Sequence, residues 1–95
     1  METLRFTQRG DEFVSDRISG ATNVNLHLNF DVAEGQSATI HFDRTMDSEN
    51  LGWSKKCSVR ANDIYEDTIA NIPAGVDIRI RTTMRPTSAK YDIID

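Results

Sequence analysis

Residues 23–30, NVNLHLNF, carry the clearest pattern in the chain: Val24, Leu26, Leu28 and Phe30 alternate with Asn23, Asn25, His27 and Asn29. Successive side chains of a strand point to opposite faces, so a period of two predicts a strand with one buried and one solvated face. Residues 36–43 repeat the pattern, with Ala38, Ile40 and Phe42 apolar and Thr39, His41 and Asp43 polar. Directly opposed residues of an antiparallel pair share a face. Pairing Leu28 with Ile40, Leu26 with Phe42 and Phe30 with Ala38 therefore sets apolar against apolar. That register predicts a hairpin closed by Ala33-Glu34-Gly35, with Gly35 in the left-handed conformation such a loop requires. It also places His27 opposite His41.

The same reading extends along the chain. Residues 3–8 form a short strand around Leu4 and Phe6, and residues 12–18 a less regular one in which Phe13 and Val14 adjoin. Residues 44–52, RTMDSENLG, read as a long polar loop. Residues 53–59 alternate Trp53, Lys55, Cys57 and Val59 against Ser54, Lys56 and Ser58. Residues 64–72 are rich in β-branched side chains, which favours a strand; Asp63 with Glu66 also fits the start of a helical turn. After the turn Pro73-Ala74-Gly75, residues 76–84 alternate well, and residues 89–94 close the chain. A hairpin through Pro86-Thr87 would join these last two strands and face Arg81 with Asp92. About eight short strands at close spacing predict an all-β fold, an antiparallel β-sandwich or jelly-roll-like domain. The inward set is Leu4, Phe6, Val24, Leu26, Leu28, Phe30, Ile40, Phe42, Val59, Ile78, Ile80 and Ile93. Left over are Ile18, Leu51, Ile64 or Ile69, and Ile94, which suggest a contact surface.

Composition sharpens this picture in a few places. The chain has 95 residues, which fits one domain spanning 1–95. At that size the stability margin is thin, and oligomerisation is a sensible supplement. A net charge of −4 argues against general attraction to nucleic acid or anionic membrane. No apolar run reaches the roughly 20 residues of a membrane span. No apolar h-region follows the N-terminus, so no secretion signal is expected. The single cysteine, Cys57, rules out an internal disulfide and a cysteine-based zinc site, and points to a reducing compartment during folding. In phase with Trp53 and Val59, it is expected to be a buried, inert thiol.

Candidate chemistry is sparse. Two opposed histidines offer two metal ligands without an evident third, so solvated histidines are the simpler reading. Asp43, Asp47, Glu49 and Asn50 supply the oxygen ligands that Ca²⁺ takes, at a spacing that matches no binding loop. Arg79 and Arg81, with Arg85 beyond, make a short basic stripe. Trp53, with Tyr65 and Tyr91, would stack on sugar rings if exposed, although tryptophan is more often buried. Arg9-Gly10-Asp11 spells the integrin-binding tripeptide, but three residues recur easily by chance, and an ordinary polar turn containing glycine is the favoured reading. No nucleophile elbow or base–nucleophile spacing is visible, so the chain reads as non-enzymatic, without metal or cofactor.

Four passages, LRFTQRGDEFVSD, NVNLHLNF, DSENLGW and AGVDIRI…RPTSAKYDII, give the chain a resemblance to small β-sandwich virion-surface proteins, of head-fibre or decoration type, from tailed phages of gut bacteria. DSENLGW departs from the more usual Asp-Gly-x-x-Trp form by carrying Glu49-Asn50-Leu51-Gly52. The resemblance implies a structural subunit that self-associates, contacts other virion proteins and is assembled in the host cytoplasm. It brings no functional residue set. The alternatives are a small carbohydrate-binding module using Trp53 and its loop, or a phage-encoded inhibitor of a host protein. Asp47, Glu49, Asn50, Arg79 and Arg81 would then provide contacts.

Overall fold

The alternating segments become the strands of two antiparallel sheets in the computed structural model, which describes residues 1–46, 49–60 and 64–94, with the backbone alone over 49–59 and at 64. The strands are β1 (Glu2–Thr3), β2 (Phe6–Arg9), β3 (Glu12–Ser15), β4 (Asn23–Asn29), β5 (Ser37–Met46), β6 (Glu49–Arg60), β7 (Ile64–Ile69), β8 (Asp77–Thr82) and β9 (Ser88–Ile94). No helix occurs among the described residues. One sheet has the order β1-β9-β4-β7 and the other β2-β3-β8-β5-β6. Their inner faces supply one core, so the fold is a β-sandwich.

The core follows the alternation. Val24, Leu26 and Leu28 from β4, Ala38, Ile40 and Phe42 from β5, and Ile78 and Ile80 from β8 are fully buried. The Phe42 and Tyr65 rings meet across the two layers with planes tilted by 31° and centroids 5.9 Å apart, a separation within the range of interacting aromatic pairs.

The predicted hairpin of residues 23–30 with 36–43 does not form. β4 pairs with β7 and β9, and β5 pairs with β6 and β8, so the two segments lie in different sheets. Strand pairing and sheet stacking make the same demand on alternation, that apolar faces apolar. The pattern of Leu26, Leu28, Ile40 and Phe42 satisfies both. The discriminating residues are Phe30 and Val32, which are buried in the connection and carry it across the core edge. Gly35 does adopt the left-handed conformation, at φ +83°, but in a turn closed by a 3.0 Å bond from Gln36 N–H to the Ala33 carbonyl. A positive φ at the third of four residues fits a type II turn. Pro73-Ala74-Gly75-Val76 uses the same device, with Gly75 at φ +83° and a 3.1 Å closing bond. Both turns lead from the four-stranded sheet into a central strand of the five-stranded one.

Other expectations are corrected in the same way. Residues 3–8 are not one strand: β1 pairs with β9 and β2 with β3, in different sheets. Between them Leu4 turns into the core and its N–H donates to the Ala89 carbonyl at 2.9 Å. Residues 44–52 are not a long loop, because β5 runs on to Met46, which pairs with Glu49 at the start of β6. The hairpin of residues 76–84 with 89–94 is also absent. β8 pairs with β3 and β5, whereas β9 pairs with β1 and β4. Residues 64–72 contain β7, so the strand reading holds there. Ile18 and Ile69, expected as surface leftovers, are core residues, and Ile93, expected inside, is 42% exposed at the rim. Ile18 is held by an isolated bridge to Ile78 that extends the β3 side of the sheet.

Candidate functional site

Among the described residues a dense polar cluster lies on the outward face of the five-stranded sheet. Alternation puts Ile78, Ile80 and Thr82 of β8 into the core and turns Arg79 and Arg81 outward. In the β5–β8 register Arg79 lies opposite Asp43 and Arg81 opposite His41. Arg81 Nε donates to Asp43 Oδ2 at 2.5 Å and Arg81 Nη2 to Asp43 Oδ1 at 3.1 Å, a two-point fork. Arg79 Nη2 adds a third bond to Asp43 Oδ2 at 3.2 Å. Arg81 Nη1 reaches across to β3, donating to Glu12 at 3.0 and 3.3 Å.

Asp43 is fully buried beneath these arginines, whose side chains are 19% and 24% exposed. The bond to Asp43 raises the Arg81 pKa above its ordinary value; burial lowers it, and Glu12 raises it further. A carboxylate with both oxygens aimed at guanidinium groups is suited to locking β5, β8 and β3 together. It is poorly placed to take a substrate proton or a cation. Asp43, expected as part of a solvated acidic loop, is thus the centre of a buried ion network. Arg81, expected against Asp92, is bonded to Asp43 and Glu12 instead.

Arg79 and Arg81 come together, as their spacing implied. Asp47 lies outside the described residues. Glu49, Asn50 and Trp53 are placed by backbone only, opposite Met46, Thr45 and Asp43; their side chains, and that of Cys57, lie outside the described residues. The β5–β6 register shifts on both sides of Asp43. His27 and His41 do not meet: His27 lies opposite Glu66 and Lys90, and His41 opposite Lys56 and Arg81. His27 Nδ1 is 3.4 Å from Glu66 Oε1. Among the described residues no group of three or more His, Cys, Asp or Glu converges as a metal site. Glu12 and Asp43 went unrecognised as arginine partners because they come from strands remote in sequence, and no local spacing announces the contact.

A second polar feature stands at the end of the same sheet. β2 and β3 form a hairpin in which Arg9 opposes Glu12, leaving Gly10-Asp11 as a two-residue turn. Gly10 has φ +61° and Asp11 is not left-handed, which matches the type II′ turn that glycine at the first central position favours. Arg9, Gly10 and Asp11 are all exposed. Arg85 supports the base of this hairpin, donating to the Phe6 carbonyl at 3.0 Å and lying 5.0 Å from the Phe13 ring centroid. Beside it, a groove of about 480 Å³ runs between residues 3–6 and 85–90.

No family model matches the chain, and comparison with curated proteins and with solved structures found no match.

Proposed function

We propose that the protein is a non-enzymatic structural subunit of a virion surface that associates with copies of itself. The observation that carries self-association is the open end of the five-stranded sheet. β6 pairs with β5 from Glu49 to Arg60 and, among the described residues, with no other strand. Such an edge offers unpaired N–H and C=O groups to another chain. Ile93 and Ile94, 42% and 44% exposed, add apolar area at the rim of the other sheet. Met1, 70% exposed, lies beside them through a 3.3 Å contact between its amino group and Asp92.

The virion assignment, with assembly in the host cytoplasm and contacts to other virion proteins, rests on the resemblance of the four sequence passages. The commitment of Asp43, Arg79, Arg81 and Glu12 to one another favours a structural over a catalytic use of that face. Size-exclusion chromatography with light scattering, at tens of micromolar, tests the reading. A dimer or trimer is expected, with an interface above about 1,000 Å² in total. A monomer throughout would overturn it.

A further inference from the structure

The hairpin apex carrying Arg9-Gly10-Asp11 stands at the opposite edge of the five-stranded sheet from β6, and its three residues make none of the bonds of the buried ion network. We propose that this apex is a recognition loop for a receptor protein of the Arg-Gly-Asp-reading kind. In such a receptor a bound divalent cation takes the Asp11 carboxylate and an acidic pocket takes the Arg9 guanidinium.

Three observations carry it. The first is presentation: the tripeptide occupies the last residue of β2 and both turn residues of a two-residue hairpin, all exposed. A Cβ built on Gly10 meets nothing within 4 Å, so the space around the apex is open. The second is that both charges are uncommitted. Among the described residues the Arg9 and Asp11 side chains make no hydrogen bond or ion pair. Glu12 lies opposite Arg9 in the register, but its carboxylate is held by Arg81 at 3.0 Å. The Arg81 contact therefore keeps the natural cross-strand partner away from Arg9. The third is chemical fit. A carboxylate is a hard oxygen donor of the kind Ca²⁺ and Mg²⁺ take, and a guanidinium forks onto carboxylates. A loop already fixed by its turn loses little conformational freedom on binding, which favours affinity.

The test uses the full chain, immobilised, and a purified integrin ectodomain of the Arg-Gly-Asp-binding class in millimolar Mn²⁺. Saturable binding is expected, abolished by EDTA and competed by a linear Arg-Gly-Asp peptide. Asp11→Glu keeps the charge but moves the carboxylate, and should weaken binding by about thirtyfold or more, the loss of a hot-spot contact. Its unfolding midpoint should match the parent, which separates lost recognition from lost fold. Binding that is absent in Mn²⁺ at tens of micromolar, that survives chelation, or that is unchanged in Asp11→Glu would overturn the proposal. The oligomeric state is read separately, so either reading can fail without the other.

Discussion

Asp43 and Asp11 are carboxylates on the same sheet, each near arginines, and they end in opposite states. Asp43 is fully buried, with three bonds from Arg79 and Arg81. Asp11 stands exposed at a hairpin tip, two residues from Arg9, with no partner among the described residues. The difference lies in the direction of the chain rather than in residue type. In the interior of the sheet, three strands bring Glu12, Asp43, Arg79 and Arg81 onto one face, where opposite charges on neighbouring strands meet. At the tip no neighbouring strand lies alongside among the described residues, and a turn that exposes its side chains leaves each charge to solvent or to a partner. Charges tied to one another serve the fold, and charges left untied are available for recognition.

The largest effect that would break this comparison is at Asp43. Asp43→Ala leaves two largely buried guanidinium groups without their shared carboxylate. Removing one side of a buried ion pair costs about 3–5 kcal/mol, and the partial exposure of the arginines brings the expectation down to about 2–4 kcal/mol. Urea unfolding reads it as a lowered midpoint at constant slope. A loss below about 0.5 kcal/mol would place Asp43 with the ordinary surface charges.

The next effect is at the apex. Gly10→Ala puts a Cβ on a residue at φ +61° with open space around it, so the cost is backbone strain alone, about 1–2 kcal/mol. The same turn geometry presents Arg9 and Asp11, so the substitution should also impair receptor binding. Equal binding by Gly10→Ala would detach recognition from the hairpin conformation.

Much of this contrast was hidden in the sequence, and the reason is physical. Alternation at Val24, Leu26, Leu28, Ile40, Phe42, Ile78 and Ile80 identified the buried positions correctly, because period two depends only on the strand itself. It could not tell which strand neighbours which: β4 and β5 satisfy the same apolar condition stacked across the core as they would side by side. Turn chemistry was readable at Gly35 and Gly75, where the conformation is a local demand, but the destination of the chain after each turn was not. Asp43 looked like another solvated position on a wet face. It is held by Arg79 and Arg81, which lie far along the chain. The tripeptide at Arg9 was visible as letters, and its meaning waited on the tip geometry.

Smaller still is the effect at the apex charges themselves. Arg9→Gln and Asp11→Asn should each change stability by less than about 0.5 kcal/mol, as surface substitutions away from special features do. A larger loss would show that the apex charges are tied after all. An intermediate case is Tyr91, which lies opposite Glu2 at the sheet edge. A hydrogen bond to the Glu2 carboxylate raises its pKa above the ordinary tyrosine value, with burial and the Glu2 and Asp16 charges adding to it. The neutral phenol is therefore favoured in the folded state. Its contribution is fully present below about pH 10, the unfolded value, and is lost as pH rises through the raised folded pKa. Thermal unfolding between pH 9 and 11 should fall more steeply for the parent than for Tyr91→Phe. Identical slopes would show that Glu2 does not hold the phenol.

The most direct test is a pair of double-mutant cycles read by urea unfolding, one on Asp43→Asn with Arg81→Gln and one on Asp11→Asn with Arg9→Gln. Tied charges predict a coupling of about 1 kcal/mol or more for Asp43 with Arg81, and untied charges predict additivity within about 0.3–0.5 kcal/mol for Asp11 with Arg9. Additive losses at Asp43 and Arg81, or comparable coupling at the two sites, would contradict the division between charges that hold the sandwich together and charges it displays.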